Sequence, residues 1–244
     1  MNVAPGPLLE MWEYASRLSP AARPIALLAL ALPEANAATL ARLPLGIRDA
    51  HLLRLRQALF GDGMGCLTGC PACGGELEFA VSASDLLQQA VETEASDYWL
   101  DGPGHRVHFR PLNSADLLAL PRFEAEPDAF QGQMLSRCVI DIEGPNGSVE
   151  PAALPREVVA LLAEEMERRD PLAAIWLDLG CEQCGHAWQG LFDIASLLWA
   201  DVDRWARMLL HEVHLFARAY GWTERDVIEL SPARRAYYLG MIGA

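Results

Sequence analysis

Two cysteine pairs with the same local setting constrain this chain more than any other feature. Cys70-Pro-Ala-Cys73-Gly74 and Cys181-Glu-Gln-Cys184-Gly185 each place two thiols on one tight turn, with glycine directly after the second. Extended without a gap, the same alignment sets Leu86-Leu87 against Leu197-Leu198. Each unit reads as a knuckle, then a strand, then a helix start, and two such units packed as a pair bring four sulfurs together. Glycine in that place lets backbone amides turn toward the sulfurs without a Cβ clash. Structural zinc sites take a closed tetrahedron of such ligands, with thiolate sulfurs about 2.3 Å from the metal. The expectation is one structural Zn2+ per chain, bound by Cys70, Cys73, Cys181 and Cys184.

The competing readings of the cysteines are weaker. A thioredoxin-like redox pair belongs at the start of a helix, whereas a strand follows each pair here. Cys66 lies four residues before Cys70, outside the repeat, and reads as a free, partly buried thiol. Cys138 sits in an apolar helical stretch and reads as core. His186 follows the second knuckle and would compete as a ligand, but the aligned residue in the first unit is Gly75. Whether Cys66 or His186 contributes stays open at this level.

The stretch between the pairs implies an insert emerging from a central zinc ribbon. The reading is an α+β chain, mainly helical, in five parts: an N-terminal helical region 1–62, a first ribbon half 63–92, an inserted α+β segment 93–171, a second ribbon half 172–192 and C-terminal helices 193–244. Leu8, Met11, Trp12, Ala15 and Leu18 recur at helical spacing. Ser19-Pro20 offers a helix start and Pro33 a stop, and a further helix fits Ile47 to Phe60. Glu76 to Val81 alternates as a half-buried strand does. Tyr98–Leu100 and Val107–Phe109 read as a hairpin across Asp101-Gly102-Pro103-Gly104. Helices follow at Ser114–Leu120, about 127–140 and Leu154–Arg169, with a turn at 144–147 and a strand at 173–179. The longest helix signal runs from Ile194 to Tyr220, with Leu198, Trp205, Met208, Leu209, Phe216 and Tyr220 on one face and Gly221 as its stop. Ser231-Pro232 opens a last helix ending near Met241.

Composition excludes several functions. The chain has 244 residues, 52% of them hydrophobic, enough for one large domain or a core with an insert. Its formal charge is −14, and all 19 basic residues are arginine. Phosphate binding needs a basic face, and none is evident, so nucleic acid is not an expected partner. The longest apolar run, Ile25–Leu32, is far short of the roughly 18 residues of a membrane span. Glu10 and Glu13 stand where a signal peptide would be apolar, so secretion through one is not expected and the expected setting is cytoplasmic.

Catalytic signatures are missing. His211-Glu212-Val213-His214 has its histidines three apart, and position 215 is leucine where the metalloprotease motif needs the second histidine. Asp201, Asp203, Glu164, Glu165 and Glu167 fall at helical spacings and read as solvated faces. There is no nucleophile elbow and no glycine-rich phosphate loop. A zinc enzyme needs an open coordination position, which four cysteines close. Apolar helices and the tryptophans 199, 205 and 222 suit protein contacts, so the chain reads as a non-enzymatic interaction component. The alternative is a zinc-ribbon module acting on nucleic acid or in regulation.

Several stretches together resemble a known family. Leu45-Gly46-Ile47-Arg48-Asp49-Ala50, Arg56-Gln57-Ala58-Leu59-Phe60-Gly61, the first knuckle, Asn113-Ser114-Ala115-Asp116-Leu117, the second knuckle, Ala219-Tyr220-Gly221-Trp222 and Leu230-Ser231-Pro232-Ala233-Arg234-Arg235 are similar to baseplate hub assembly proteins of the T-even phage type. Relatives of these are encoded in phage-tail-like contractile injection systems. The resemblance implies an assembly chaperone or a retained baseplate subunit, with hub or spike proteins as partners and incorporation into a particle as one fate.

Overall fold

The structure, a computed structural model, describes residues 3–91, 96–119, 127–145 and 147–242, with the backbone alone for 127–131. Four helices open the chain: α1 (Pro5–Ser16), α2 (Arg23–Ala31), α3 (Ala37–Ala41) and α4 (Leu45–Phe60). A hairpin of β1 (Gly63–Gly69) and β2 (Glu76–Ser82) leads into α5 (Ala83–Leu87). The middle of the chain holds β3 (Tyr98–Gly102), β4 (His105–Phe109), α6 (Ser114–Ala119), α7 (Pro127–Cys138), β5 (Val139–Gly144), β6 (Gly147–Ser148) and α8 (Arg156–Arg169). A second hairpin, β7 (Ile175–Gly180) and β8 (Ala187–Phe192), leads into α9 (Ile194–Tyr220), α10 (Glu224–Ile228) and α11 (Pro232–Ile242). Each hairpin is a two-stranded antiparallel sheet of its own, and β3 to β6 form a four-stranded one. The architecture is mixed α+β and helix-rich.

Two apolar clusters hold it together. The larger gathers Leu27 and Leu28 of α2, Leu52, Leu53 and Leu55 of α4, Met64 of β1, Leu86 of α5, Ile175 of β7 and Leu198 and Val202 of α9. α4 is its axle: Leu45, Gly46, Arg48, Asp49, Ala50, Leu52, Leu53, Leu55 and Arg56 are all buried, so neighbours surround it. The smaller cluster joins Tyr98, Val107, Phe109 and Ile142 of the four-stranded sheet to Val158 and Leu162 of α8.

Polar contacts join the two halves. Leu45 N–H donates to the Leu112 carbonyl at 2.9 Å, and Arg48 Nη1 donates to Ser114 Oγ at 3.2 Å. Gly46 N–H donates to Asp170 Oδ2 at 3.0 Å, and a Cβ on Gly46 would collide with that carboxylate. Here glycine is required by close approach and not by its dihedral angles.

The structure departs from the sequence reading at definite places. β1 was not expected as a strand, because Gly63, Gly65 and Gly69 remove the apolar alternation that marks one. The helix expected over about 127–140 ends at Cys138, where Val139 enters β5 against β4. α2 begins at Arg23, after a turn at Ser19–Ala22. Leu120 and Asn146, in the expected helix end and turn, lie outside the described residues.

Candidate metal centre

The local geometry of the two hairpins is the same. In each, six residues connect paired strand ends, Gly69 with Glu76 and Gly180 with Ala187. Cys70 N–H donates to the Gly75 carbonyl at 2.8 Å, and Gly74 N–H to the Cys70 carbonyl at 2.9 Å. Cys181 N–H donates to the His186 carbonyl and Gly185 N–H to the Cys181 carbonyl, both at 2.9 Å. Gly74 and Gly185 take φ of 75° and 73°, the left-handed region that glycine enters without a Cβ penalty. The likeness continues into the helices that follow: Ser82 caps α5 through Asp85 N–H, and Asp193 caps α9 through Ser196 N–H. The repeat is therefore strand–knuckle–strand–capped helix, one strand longer than the sequence reading.

The knuckles meet head to head. Cys70 Sγ lies 3.7 Å from Cys184 Sγ, and Cys73 Sγ lies 3.6 Å from Cys181 Sγ. All four sulfurs fall within 4.8 Å of one another. The first cysteine of one knuckle faces the second of the other, both ways, which is the pairing a two-fold relation between the units demands. Burial follows the same symmetry, with Cys70 and Cys181 buried and Cys73 and Cys184 exposed. The fit to a metal is direct. Sulfurs placed tetrahedrally about 2.3 Å from a centre stand about 3.8 Å apart, close to both measured pairs. Four free thiols are too far apart here for disulfide bonds, whose sulfurs stand about 2.05 Å apart.

The electrostatics of the cluster are compatible with a cation. The backbone N–H groups of Cys184 and Gln183 hold the Cys181 thiol down at about 7. The His186 amide pulls Cys184 down as well, but the thiols of Cys73, Cys181 and Cys70 crowded against it leave it at about 12. Backbone donors thus favour thiolate at one corner, while its neighbours resist further negative charge. A metal ion bound by all four would remove that conflict.

The remaining candidates sort themselves by position. Among the described residues, these four cysteines are the one group of His, Cys, Asp or Glu side chains placed to hold a metal ion. His186 is exposed and stacks near Trp188, with ring centroids 6.0 Å apart. Cys66 is half-buried, its sulfur 3.7 Å from the Met64 carbonyl, and burial raises its pKa. Cys138 is buried, and burial pushes its thiol up to about 12. His211 and His214 are both exposed on α9, and Glu212 between them pairs with Arg235 at 3.1 Å. Asp201 is not on a solvated face: its side chain is 12% exposed and it pairs with Arg56 and Arg204. No helix among the described residues is long and apolar enough to cross a membrane.

No protein-family model, no curated protein and no solved structure matches the chain.

Proposed function

We propose that this chain is a non-enzymatic assembly factor or structural subunit of the baseplate hub of a contractile phage tail or phage-tail-like injection system, stapled by one structural zinc ion. The observation that carries the metal staple is the sulfur cluster at the tips of two matched hairpins. Four thiolates fill a zinc ion's shell and leave no position for water or substrate, so a metal here serves structure and not hydrolysis. Cys70, Cys73, Cys181 and Cys184 are its ligands, and together they form a zinc ribbon. Zinc suits four thiolates better than the oxygen-seeking Ca2+ or Mg2+.

The baseplate assignment rests on the family resemblance of the stretches from Leu45 to Arg235. Support of a general kind comes from large apolar side chains left in solvent, among them Tyr14, Met208 and Tyr237. The partners would be hub or spike proteins, met in the bacterial cytoplasm or within the particle. Deleting the gene and imaging the particles tests it: missing or malformed baseplates are expected, and intact sheathed particles would refute the assignment. Cobalt substitution tests the metal separately, with a tetrahedral all-sulfur absorption spectrum expected.

A further inference from the structure

A groove of about 330 Å³ opens between the two cysteine hairpins. Gly65 to Thr68 of β1 form one wall, and Leu177, Leu179 and Gly190 to Phe192 of β7 and β8 form the other. Each hairpin is a two-stranded sheet, so each of its strands keeps one edge that its hairpin partner does not cover. Open strand edges are templates for another strand. The rims are apolar: Leu67 is 61% exposed and Leu191 59%, and Trp176, outside the groove and paired with Leu191 across β7 and β8, is 51% exposed.

The glycines of β1 point to what the groove receives. Gly63, Gly65 and Gly69 lie on its solvent face, and a Cβ on any of them would meet nothing within 4 Å. None of the three has a positive φ. Neither backbone conformation nor packing inside the chain calls for glycine there, and glycine within a strand costs about 0.5–1 kcal/mol. Gly190 is different, because the Leu179 side chain fills the space its own would take. Apart from Leu67 the solvent face of β1 carries no side chain, and another backbone can approach such a strand closely.

Charge narrows the chemistry. Residues 63–82 and 175–193 contain no arginine or lysine. Glu76, Glu78, Asp178 and Glu182 are exposed on them, flanking the groove and not lining it, with Glu78 directly across from Leu67 and Asp178 on the outer face of β7 with Trp176. The cation at the groove's end, Arg204, is already paired with Asp201. Such a surface repels phosphates and attracts basic side chains. We infer that the groove between β1 and β8 docks an extended segment of a partner protein that carries arginine or lysine among apolar side chains, its backbone laid along the glycine-bearing β1. This deepens, and rests on, the reading of the chain as a protein-binding assembly component.

The test uses the full metal-loaded chain and three fluorescent peptides of about ten residues, the length of a long strand. One alternates valine with arginine, the second has glutamate for arginine, and the third has proline at alternate positions. Anisotropy should show the arginine peptide binding at least about tenfold tighter than either other, and less tightly as salt rises. Gly65→Val, which suits a strand, and Leu191→Arg should each weaken it at least about tenfold while metal content and melting temperature hold. Equal binding of the arginine and glutamate peptides, or full binding by Gly65→Val, would overturn the inference. Self-association of the chain that Leu191→Arg abolishes would also overturn it, by making the occupant a second copy. In cells the two readings separate: normal particles with Gly65→Val but none after gene deletion sink the groove and spare the assembly role, whereas normal particles after deletion sink the assembly role itself.

Discussion

Cys70 and Cys181 are buried where Cys73 and Cys184 face solvent, and that difference decides what a substitution removes. Cys181→Ser takes away a buried ligand and leaves three thiolates around the ion, so metal content should fall from one per chain to near zero. Binding of a structural zinc is coupled to folding with apparent energies of about 10–16 kcal/mol in small zinc modules; even a few kcal/mol here would lower the melting temperature by about 10 °C. Cys66→Ala, outside the cluster, should leave metal content unchanged, and elemental analysis with calorimetry separates the two. A second residue, Asp62, gives a pH test. The Ser84 and Ser82 hydroxyls, the Ser84 amide and the Gln57 amide group all donate to it, holding its carboxyl at about 2 against an ordinary 3.8. The folded state therefore binds the proton more weakly than the unfolded one, and the stabilisation is complete above the ordinary value and lost as pH falls through about 2. The denaturation midpoints of wild type and Asp62→Asn should differ by a constant amount above about pH 5 and converge on acidification; a gap that widens in acid would contradict the bonding described. The cysteines were legible in the sequence because a knuckle is local. The contact of Asp170 with Gly46 was not, since no spacing rule relates a glycine in one helix to an acid far along the chain.

Periodicity did not reveal the ion pair that joins α4 to α9. Arg56 of α4 and Asp201 of α9 pair at 3.2 Å with side chains only 8% and 12% exposed. Arg56 also donates from Nη1 to the Gly61 and Gly63 carbonyls, both at 2.6 Å, fixing the exit of α4 into β1. Removing Arg56 leaves Asp201 with the exposed Arg204 alone and takes the donor from the Gly61 and Gly63 carbonyls, and breaking a buried pair costs about 3–5 kcal/mol. Arg56→Ala should cost an amount of that order, and Arg56→Lys should recover little, because a single ammonium cannot reproduce the planar fork that reaches both carbonyls and the carboxylate. Chemical denaturation of the two variants checks this, and near-wild-type stability of the lysine variant would refute the role given to the fork. Helix ends were readable: Gly221, the expected stop of the long helix, is left-handed at φ 68°. Helix faces were read less well. Met208, expected inside, is 60% exposed, because about 100° per residue carries it roughly 80° from the line through Leu198, Leu209 and Phe216. β1 escaped notice for a related reason, since its exposed positions carry glycine where a pattern search wants polar side chains.

At the scale of the whole molecule, two apolar clusters would make loss of the proposed metal a local event before a global one. The cluster around α4 receives β1, β7 and the first turns of α9, whose entry positions depend on the hairpins. The cluster of Tyr98, Val107, Phe109, Ile142, Val158 and Leu162 is built from elements that never touch the sulfurs. It is tied to α4 by hydrogen bonds at Leu45, Gly46 and Arg48, all at the end of that helix opposite its exit into β1. Removing the metal with a strong chelator should therefore release amide protection first in 63–82 and 175–193, next at the starts of α5 and α9, and last in β3, β4, β5 and α8. Hydrogen exchange read by mass spectrometry resolves that order. Simultaneous loss everywhere would mean that the cysteine hairpins hold the entire fold cooperatively. Unchanged exchange in the hairpins would mean that β1–β2 and β7–β8 stand without the ion, on the packing of Met64, Ile175 and Phe192 against the core alone.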